Sequence, residues 1–259
     1  MSDSASPSTP ILSIEGARAT IRLNRPREHN RIDPADLPVL RDHLDAIERT
    51  PGVRVLVFTG TGEKSFSSGY TLQALIDLDA NDHTIKWDTL MDSIEQYSVP
   101  TIAALNGSVY GGATDLALAC DFRVGVTGSR FLMPAMRIGL HYYSGAMRRY
   151  VERLGLSAAK RLFLLGDPVP SEQMEALGFY DALVAPADFD ARVAAMVASL
   201  AAGAPKVMRS MKQHLNAIAR GEMDARAIDQ AYVASQRSDD LKEGVAAMQE
   251  KRPARFSDD

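Results

Sequence analysis

Residues Asn106–Asp121 read N-G-S-V-Y-G-G-A-T-D-L-A-L-A-C-D, and how this stretch is parsed decides the fold. The pair Gly111–Gly112 ends any strand before it and lets backbone approach a ligand closely, because glycine has no Cβ. The run Ala113–Ala119 then reads as a helix, so the N–H groups near its start have no intrahelical acceptor. Asp115 falls in that first turn. The stretch is either a well-capped buried helix or an anion site with a carboxylate beside it.

Outward from this stretch, strand and helix patterns alternate. On the N-terminal side, I-L-S-I-E-G-A-R-A-T-I-R-L around Gly16 predicts a β-hairpin. P-A-D-L-P-V-L-R-D-H-L-D-A-I-E-R carries apolar residues at helical spacing, and P-G closes it. V-R-V-L-V-F-T-G predicts a buried strand, T-G-E-K-S-F-S-S-G-Y a loop, and Leu72–Leu78 a helix. A helix is expected over Asn81–Tyr97 and a strand at T-I-A-A-L-N-G. On the C-terminal side, strands are expected at D-F-R-V-G-V, F-L-M-P and D-A-L-V, with mostly helix from Ser144. Phe189–Glu250 predicts several helices with no strand between them. Alternation of this kind points to α/β layers.

The chain has 259 residues, enough to bury a sizeable core, and its 46% hydrophobic and 24% charged content is that of a globular protein. Net charge is −4, from 29 basic and 33 acidic residues. No block of like charges suggests a nucleic-acid surface. The single cysteine, Cys120, excludes an internal disulfide and fits a reducing compartment. Its apolar flanks predict a buried core residue rather than a nucleophile. The start, M-S-D-S-A-S-P-S-T-P, lacks the features of a signal peptide and predicts a disordered tail over residues 1–10. No run approaches the roughly 18 apolar residues of a membrane span. A cytoplasmic protein without a membrane partner is the expectation.

Several constellations compete for the chemistry. G-T-G-E-K-S at Gly60–Ser65 follows a strand but lacks the third glycine of G-x-G-x-x-G and does not fit G-x-x-x-x-G-K-[ST], so it reads as a plain glycine loop. Ser67, Ser68, His141 and Asp115 form a hydrolytic triad only on paper, because no G-x-S-x-G elbow presents a serine. Five histidines with no H-E-x-x-H and no cysteine pair give no metal-site spacing. Two loops are more informative. F-S-S-G-Y-T-L and V-Y-G-G-A-T-D each set glycine between a strand region and a helix start. Two such starts facing each other would aim two backbone N–H donors at one oxygen, aided by the positive ends of both helices. The plainer alternative is that glycine simply ends strands here.

The chain resembles the crotonase superfamily, the enoyl-CoA hydratase/isomerase family. The resemblance rests on L-N-R-P-R-E-H-N, V-L-V-F-T-G-T-G-E-K-S-F-S-S-G-Y-T-L, V-P-T-I-A-A-L-N-G-S-V-Y-G-G-A-T-D-L-A-L-A-C-D-F-R-V, L-G-L-S-A-A-K-R-L-F-L-L-G, E-A-L-G-F-Y-D-A-L-V and D-D-L-K-E-G-V-A-A-M-Q-E-K-R-P-A-R-F. It implies an α/β fold, a crotonase-like spiral of ββα units over residues 11–188 with a C-terminal helical trimerisation region over 189–259. It implies a homotrimer or dimer of trimers, and no permanently bound cofactor, coenzyme A entering as part of an acyl-CoA substrate. The thioester oxygen would be held by the N–H groups of Tyr70 and Gly112. Ser68, Tyr70 and Leu72 are expected among the residues that bind the CoA substrate. Arg27 and Lys251 match basic positions near the CoA phosphates, and Tyr232 an aromatic near the adenine. Gln73 stands where a lysine is usual.

The pattern departs from a hydratase at the acid–base groups. Of the two glutamates that hydratases use, the first falls at Asp115 and the second at Ala135, which exchanges no proton. Candidate substitutes are in I-G-L-H-Y-Y-S-G: His141 as an imidazole acid–base group, Tyr142 as a hydrogen-bond donor, and Tyr143, which stands near an isomerase's acid position. Methylmalonyl-CoA decarboxylases carry a tyrosine near Tyr142. The leading expectation is a hydratase or double-bond isomerase with Asp115 as the main acid–base group. A decarboxylase-like carbon–carbon lyase, a non-catalytic acyl-CoA scaffold and a serine hydrolase are the alternatives.

Overall fold

The computed structural model describes residues 8–76 and 86–257. Residues 1–7 of the expected tail, the ends of the helices expected at Leu72–Leu78 and Asn81–Tyr97, and residues 258–259 lie outside these. Strands β1 (Ile11–Glu15) and β2 (Arg18–Leu23) form the antiparallel hairpin, turning at Gly16 with φ +58°. Helix α1 (Asp36–Glu48) buries Leu37, Leu40, Leu44 and Ile47, the stripe that its helical spacing predicts.

Three successive chain segments then repeat one pattern. β3 (Val55–Gly60) is followed by β4 (Ser65–Ser67), α2 (Leu72–Ile76) and α3 (Trp87–Glu95). β5 (Thr101–Leu105) is followed by β6 (Ser108–Tyr110) and α4 (Gly112–Ala119). β7 (Phe122–Val126) is followed by β8 (Arg130–Leu132) and α5 (Ser144–Lys160), which breaks at Gly155 with φ +80°. The first strand of each segment joins a six-stranded sheet of order β1-β2-β3-β5-β7-β10, and the second joins a four-stranded sheet of order β4-β6-β8-β9. The intervening chain supplies β9 (Val169–Pro170), α6 (Ser171–Ala176) and β10 (Ala182–Val184). Neighbours from β2 through β10 in the larger sheet run parallel, as do β4, β6 and β8. Every residue of β3 and β5 is buried, as expected of parallel strands covered on both faces.

The C-terminal segment is helical throughout: α7 (Phe189–Ala201), α8 (Pro205–Ala219), α9 (Ala225–Ser235) and α10 (Asp239–Glu250). Phe189 and Val193 of α7 pack on Val55, Val57, Ile102, Ala104 and Val124 on one face of the larger sheet. The main core fills the other side, where α1, α3 and α4 meet. No single helix among the described residues is long and apolar enough to cross a membrane.

One expectation needs correction. The stretch read as a loop, Thr61–Tyr70, contains β4, whereas the strand β6 precedes Gly111 as its reading expects. Both strands have three residues, too few for an alternating pattern to register. They exist because the smaller sheet pairs them: Val109 opposes Ser67 on one side and Phe131 on the other.

Candidate active site

The smaller sheet sets the two glycine loops side by side. After β4 the chain turns at Gly69 and pairs once more, at Ile32 and Tyr70. Ile32 N–H donates to the Gly69 carbonyl at 2.9 Å, and Thr71 N–H to the Ile32 carbonyl at 3.0 Å. In a trans peptide the carbonyl and the following N–H point to opposite sides. With Gly69 and Thr71 engaged on Ile32, the Tyr70 N–H therefore faces the other way, toward the start of α4.

There Gly111 holds φ +53° and ψ −129°, a conformation open to glycine and strained for other residues. Its N–H donates to Leu132 at 2.9 Å, which ties the helix start to β8. Gly112 opens α4, so its N–H has no intrahelical acceptor by position. A Cβ on Gly112 would lie 3.3 Å from the Tyr70 nitrogen, and one on Gly69 would lie 2.6 Å from the Gly112 nitrogen. Gly69 has φ +87°. Closeness thus requires glycine at position 69, and the backbone at Tyr70 lies against the start of α4, the positive end of a helix.

One helical turn into α4 stands Asp115, fully buried. Arg149 of α5, also fully buried, grips it with two bonds: Nε to Oδ1 at 2.8 Å and Nη2 to Oδ2 at 2.8 Å. Nη1 of Arg149 bonds Asp92 Oδ1 at 2.7 Å and Glu95 Oε2 at 3.3 Å, both on α3. The Tyr143 hydroxyl donates to Asp115 Oδ2. Burial pulls the Arg149 guanidinium down, but the bonds and charge of Asp115, with the Asp92 bond and the Glu95 charge, together hold it above its ordinary value. Burial, then the Asp115 charge, pushes the Tyr143 phenol far up, and burial does the same to Tyr142. Both phenols are therefore neutral at pH 7. Tyr143 stacks on Tyr142 at 5.0 Å between centroids, and Tyr142 packs on Phe163 at 5.5 Å. Trp87, the first residue of α3, lies against Tyr70 with centroids 5.4 Å apart.

The structure brings together Tyr70, Gly112, Asp115, Tyr142 and Tyr143 in this region. His141 is not part of the cluster: it is exposed, and its Nδ1 meets the Tyr142 carbonyl at 2.8 Å. Asp115 differs from the expected free acid–base group, since both oxygens are already bound. Arg149 escaped the sequence reading, because M-R-R-Y inside a helix carries no sign of which carboxylate it will meet. Ala135 is buried in the turn Ala135–Ile138 that precedes the tyrosines. The serine-hydrolase reading fails on contacts. Ser67 Oγ donates to the Asn30 carbonyl at 2.7 Å and accepts from Gly69 N–H at 3.0 Å, while Ser68 Oγ meets the Glu28 carbonyl at 3.2 Å. Leu72, Arg27, Tyr232 and Lys251 are exposed. Among the described residues, no three His, Cys, Asp or Glu side chains gather as a metal site.

A spiral that feeds one strand of each repeat to each of two sheets, then sends a helix away from a glycine turn, is the crotonase class of fold. The family model for enoyl-CoA hydratase/isomerase matches residues 13–259, and the chain belongs to that family of acyl-CoA enzymes. It is 28% identical to the crotonyl-CoA hydratase of Syntrophomonas wolfei, over 95% of this chain and 96% of that one. It is 29% identical to the mitochondrial enoyl-CoA hydratase of Pongo abelii, over 92% and 83%. Among solved structures, an enoyl-CoA hydratase/carnithine racemase from Magnetospirillum magneticum superposes with a TM-score of 0.86 at 28% identity, covering 96% of each chain.

Proposed function

We propose that the carbonyl oxygen of an acyl-CoA thioester sits between the N–H groups of Tyr70 and Gly112, and that the reaction passes through the thioester enolate. Breaking a bond next to the carbonyl moves an electron pair onto that oxygen. Donors already aimed at it, at the N-terminus of α4, stabilise the charge where it develops. Because the donors are backbone groups held by β4, β8 and the Ile32 pairing, they need no reorganisation when the charge forms.

Proton movement is assigned to Tyr143 together with Asp115. The observation that carries this assignment is the Tyr143 hydroxyl donating to an Asp115 carboxylate whose other bonds are to Arg149. A hydroxyl so placed accepts a proton from the substrate while passing its own to Asp115, and the reverse step returns one. The phenol never ionises, in keeping with the direction of its shift. One such relay in place of two carboxylates suits a double-bond shift, or a hydration in which the same relay serves water and carbon in turn. Arg149 keeps the buried carboxylate neutralised and oriented.

Ala135 favours a second reading, loss of CO2 from a malonyl-type thioester, because departure of CO2 itself generates the enolate. Arg27, Lys251 and Tyr232, as exposed groups, are assigned to the CoA moiety. The C-terminal helices from Phe189 on, which leave Tyr232 and Met248 exposed, are assigned to a trimer. The test is mass spectrometry of crotonyl-CoA, a 3-enoyl-CoA and methylmalonyl-CoA incubated with the protein in heavy water. Gain of water identifies a hydratase, deuterium uptake with a moved double bond an isomerase, and loss of CO2 a decarboxylase. If no thioester binds or changes, the proposal is wrong.

A further inference from the structure

The last residue of α3, Glu95, is only 2% exposed, and local rules argue against a carboxylate there. The C-terminal end of a helix carries partial negative charge, and a buried charge is costly unless paired. Two other elements hold it. Its Oε2 accepts from Arg148 Nη2 and, at 3.3 Å, from Arg149 Nη1, while its Oε1 stands 4.0 Å from Arg153 Nη2, all three on α5. Its carbonyl, which has no intrahelical donor at that position, accepts from Asn216 Nδ2 of α8 at 2.9 Å. Places that break local rules in this way are where function is to be sought.

Arg149 links Glu95 to Asp115. A guanidinium is planar with five N–H donors, and here it makes four bonds: Nε and Nη2 to Asp115, Nη1 to Asp92 and Glu95. With carboxylates on both edges the plane is fixed. Gly145, in the first turn of α5, leaves room for this: a Cβ there would lie 2.8 Å from Asp92 Oδ1 and 3.4 Å from Arg149 Nη2. Resting on the Tyr143–Asp115 proton path given above, we propose that Glu95 is a positioning residue. Through Arg149 it sets the orientation of the Asp115 carboxylate and how readily that carboxylate takes the Tyr143 proton. Nearby positive charge favours the ionised form of a carboxylate. Without Glu95 the arginine cluster beside Asp115 carries one more uncancelled positive charge, so Asp115 holds its own charge more firmly and is a poorer acceptor. Asp92 shares Arg149 but its side chain is 48% exposed, so water and salt screen it, whereas Glu95 is enclosed.

The test is steady-state kinetics of the full chain on the thioester that the wild type turns over, comparing Glu95→Gln, Arg148→Gln, the double variant and Tyr143→Phe. Urea denaturation shows first that each is folded. Glutamine keeps the size of Glu95 and an oxygen for Arg149 and removes only the charge. Glu95→Gln should lower kcat about tenfold while leaving KM within about twofold. Arg148→Gln takes one positive charge from the same cluster and leaves Arg149 and Arg153 on Glu95, so it should raise kcat about threefold. The double variant should therefore recover at least about half of the wild-type kcat. A residue that merely joined helices would give no such recovery, because the double variant has lost more bonds than either single one. A kcat for Glu95→Gln within about twofold of wild type, or no recovery in the double variant, overturns the role of Glu95 while a slow Tyr143→Phe keeps the proton path. Should Glu95→Gln fail to fold, an Arg148→Gln kcat equal to or below wild type overturns it instead. If Tyr143→Phe is as fast as wild type, or the wild type turns over no thioester, the reading of the site falls first and this inference with it.

Discussion

Replacing Gly69 with alanine probes the gap between the two backbone donors directly. The new methyl carbon would stand 2.6 Å from the Gly112 nitrogen, 2.7 Å from the Tyr110 carbonyl oxygen and 3.1 Å from the Ala113 nitrogen. Ordinary contact begins near 3.4 Å, so the backbones must part by about 0.8 Å. None of the three atoms belongs to a side chain that can swing away. At φ +87° the alanine also carries a left-handed backbone penalty of about 1–2 kcal/mol. A displacement of that size between donor and oxygen is worth about 100-fold in turnover, and losing one donor about 100- to 1000-fold. Gly16→Ala provides the control. It has φ +58° but nothing within 4 Å of the added carbon, so it should lower stability by a similar left-handed penalty and leave turnover unchanged. The assay is kcat/KM on whichever thioester of the panel is turned over, alongside urea denaturation of both variants. If Gly69→Ala folds and retains turnover within about threefold of wild type, the two-donor site is wrong.

Three further outcomes are expected. Arg149→Met strips a buried carboxylate of its partner and should cost about 3–5 kcal/mol in urea denaturation, with much of the loss recovered in Arg149→Met/Asp115→Leu; a cost below about 1 kcal/mol would show that the pair carries little of the local stability. Tyr143→Phe keeps the Arg149–Asp115 pair, so stability should change by only about 1 kcal/mol. Turnover should fall at least about 100-fold, and an unchanged rate would remove Tyr143 from the proton path. Burial raises the Cys120 thiol to about 12 and the Tyr180 phenol to about 12. Their ordinary values are lower, so above about pH 9 the unfolded chain gives up protons that the native state retains. Stability is therefore full below that pH and falls as pH rises, by up to about 1.4 kcal/mol per pH unit for each group in its window. Thermal melts from pH 8 to 11 should decline, and Cys120 should resist a thiol reagent until the protein unfolds. A flat profile would mean that these side chains are open to solvent.

The sequence by itself determined the hairpin at Gly16, the α1 stripe, the buried strands β3, β5 and β7, and the all-helical segment after Phe189. Each is written in local terms: a two-residue turn, apolar spacing, a continuous apolar run. It also marked Gly69 and Gly111–Gly112, since glycine between a strand and a helix start is a local signal. Tertiary structure alone decided what those glycines face. Only the second sheet makes strands of the three-residue segments Ser65–Ser67 and Ser108–Tyr110, and only their pairing sets the Tyr70 nitrogen against Gly112. The fate of Asp115 was equally beyond the sequence. Its charge and place in the first turn were plain, but Arg149 lies 34 positions away on a helix whose own pattern names no partner. Propensity and periodicity act between neighbours in the chain, whereas the pairing of a buried charge or donor is settled by which elements pack together.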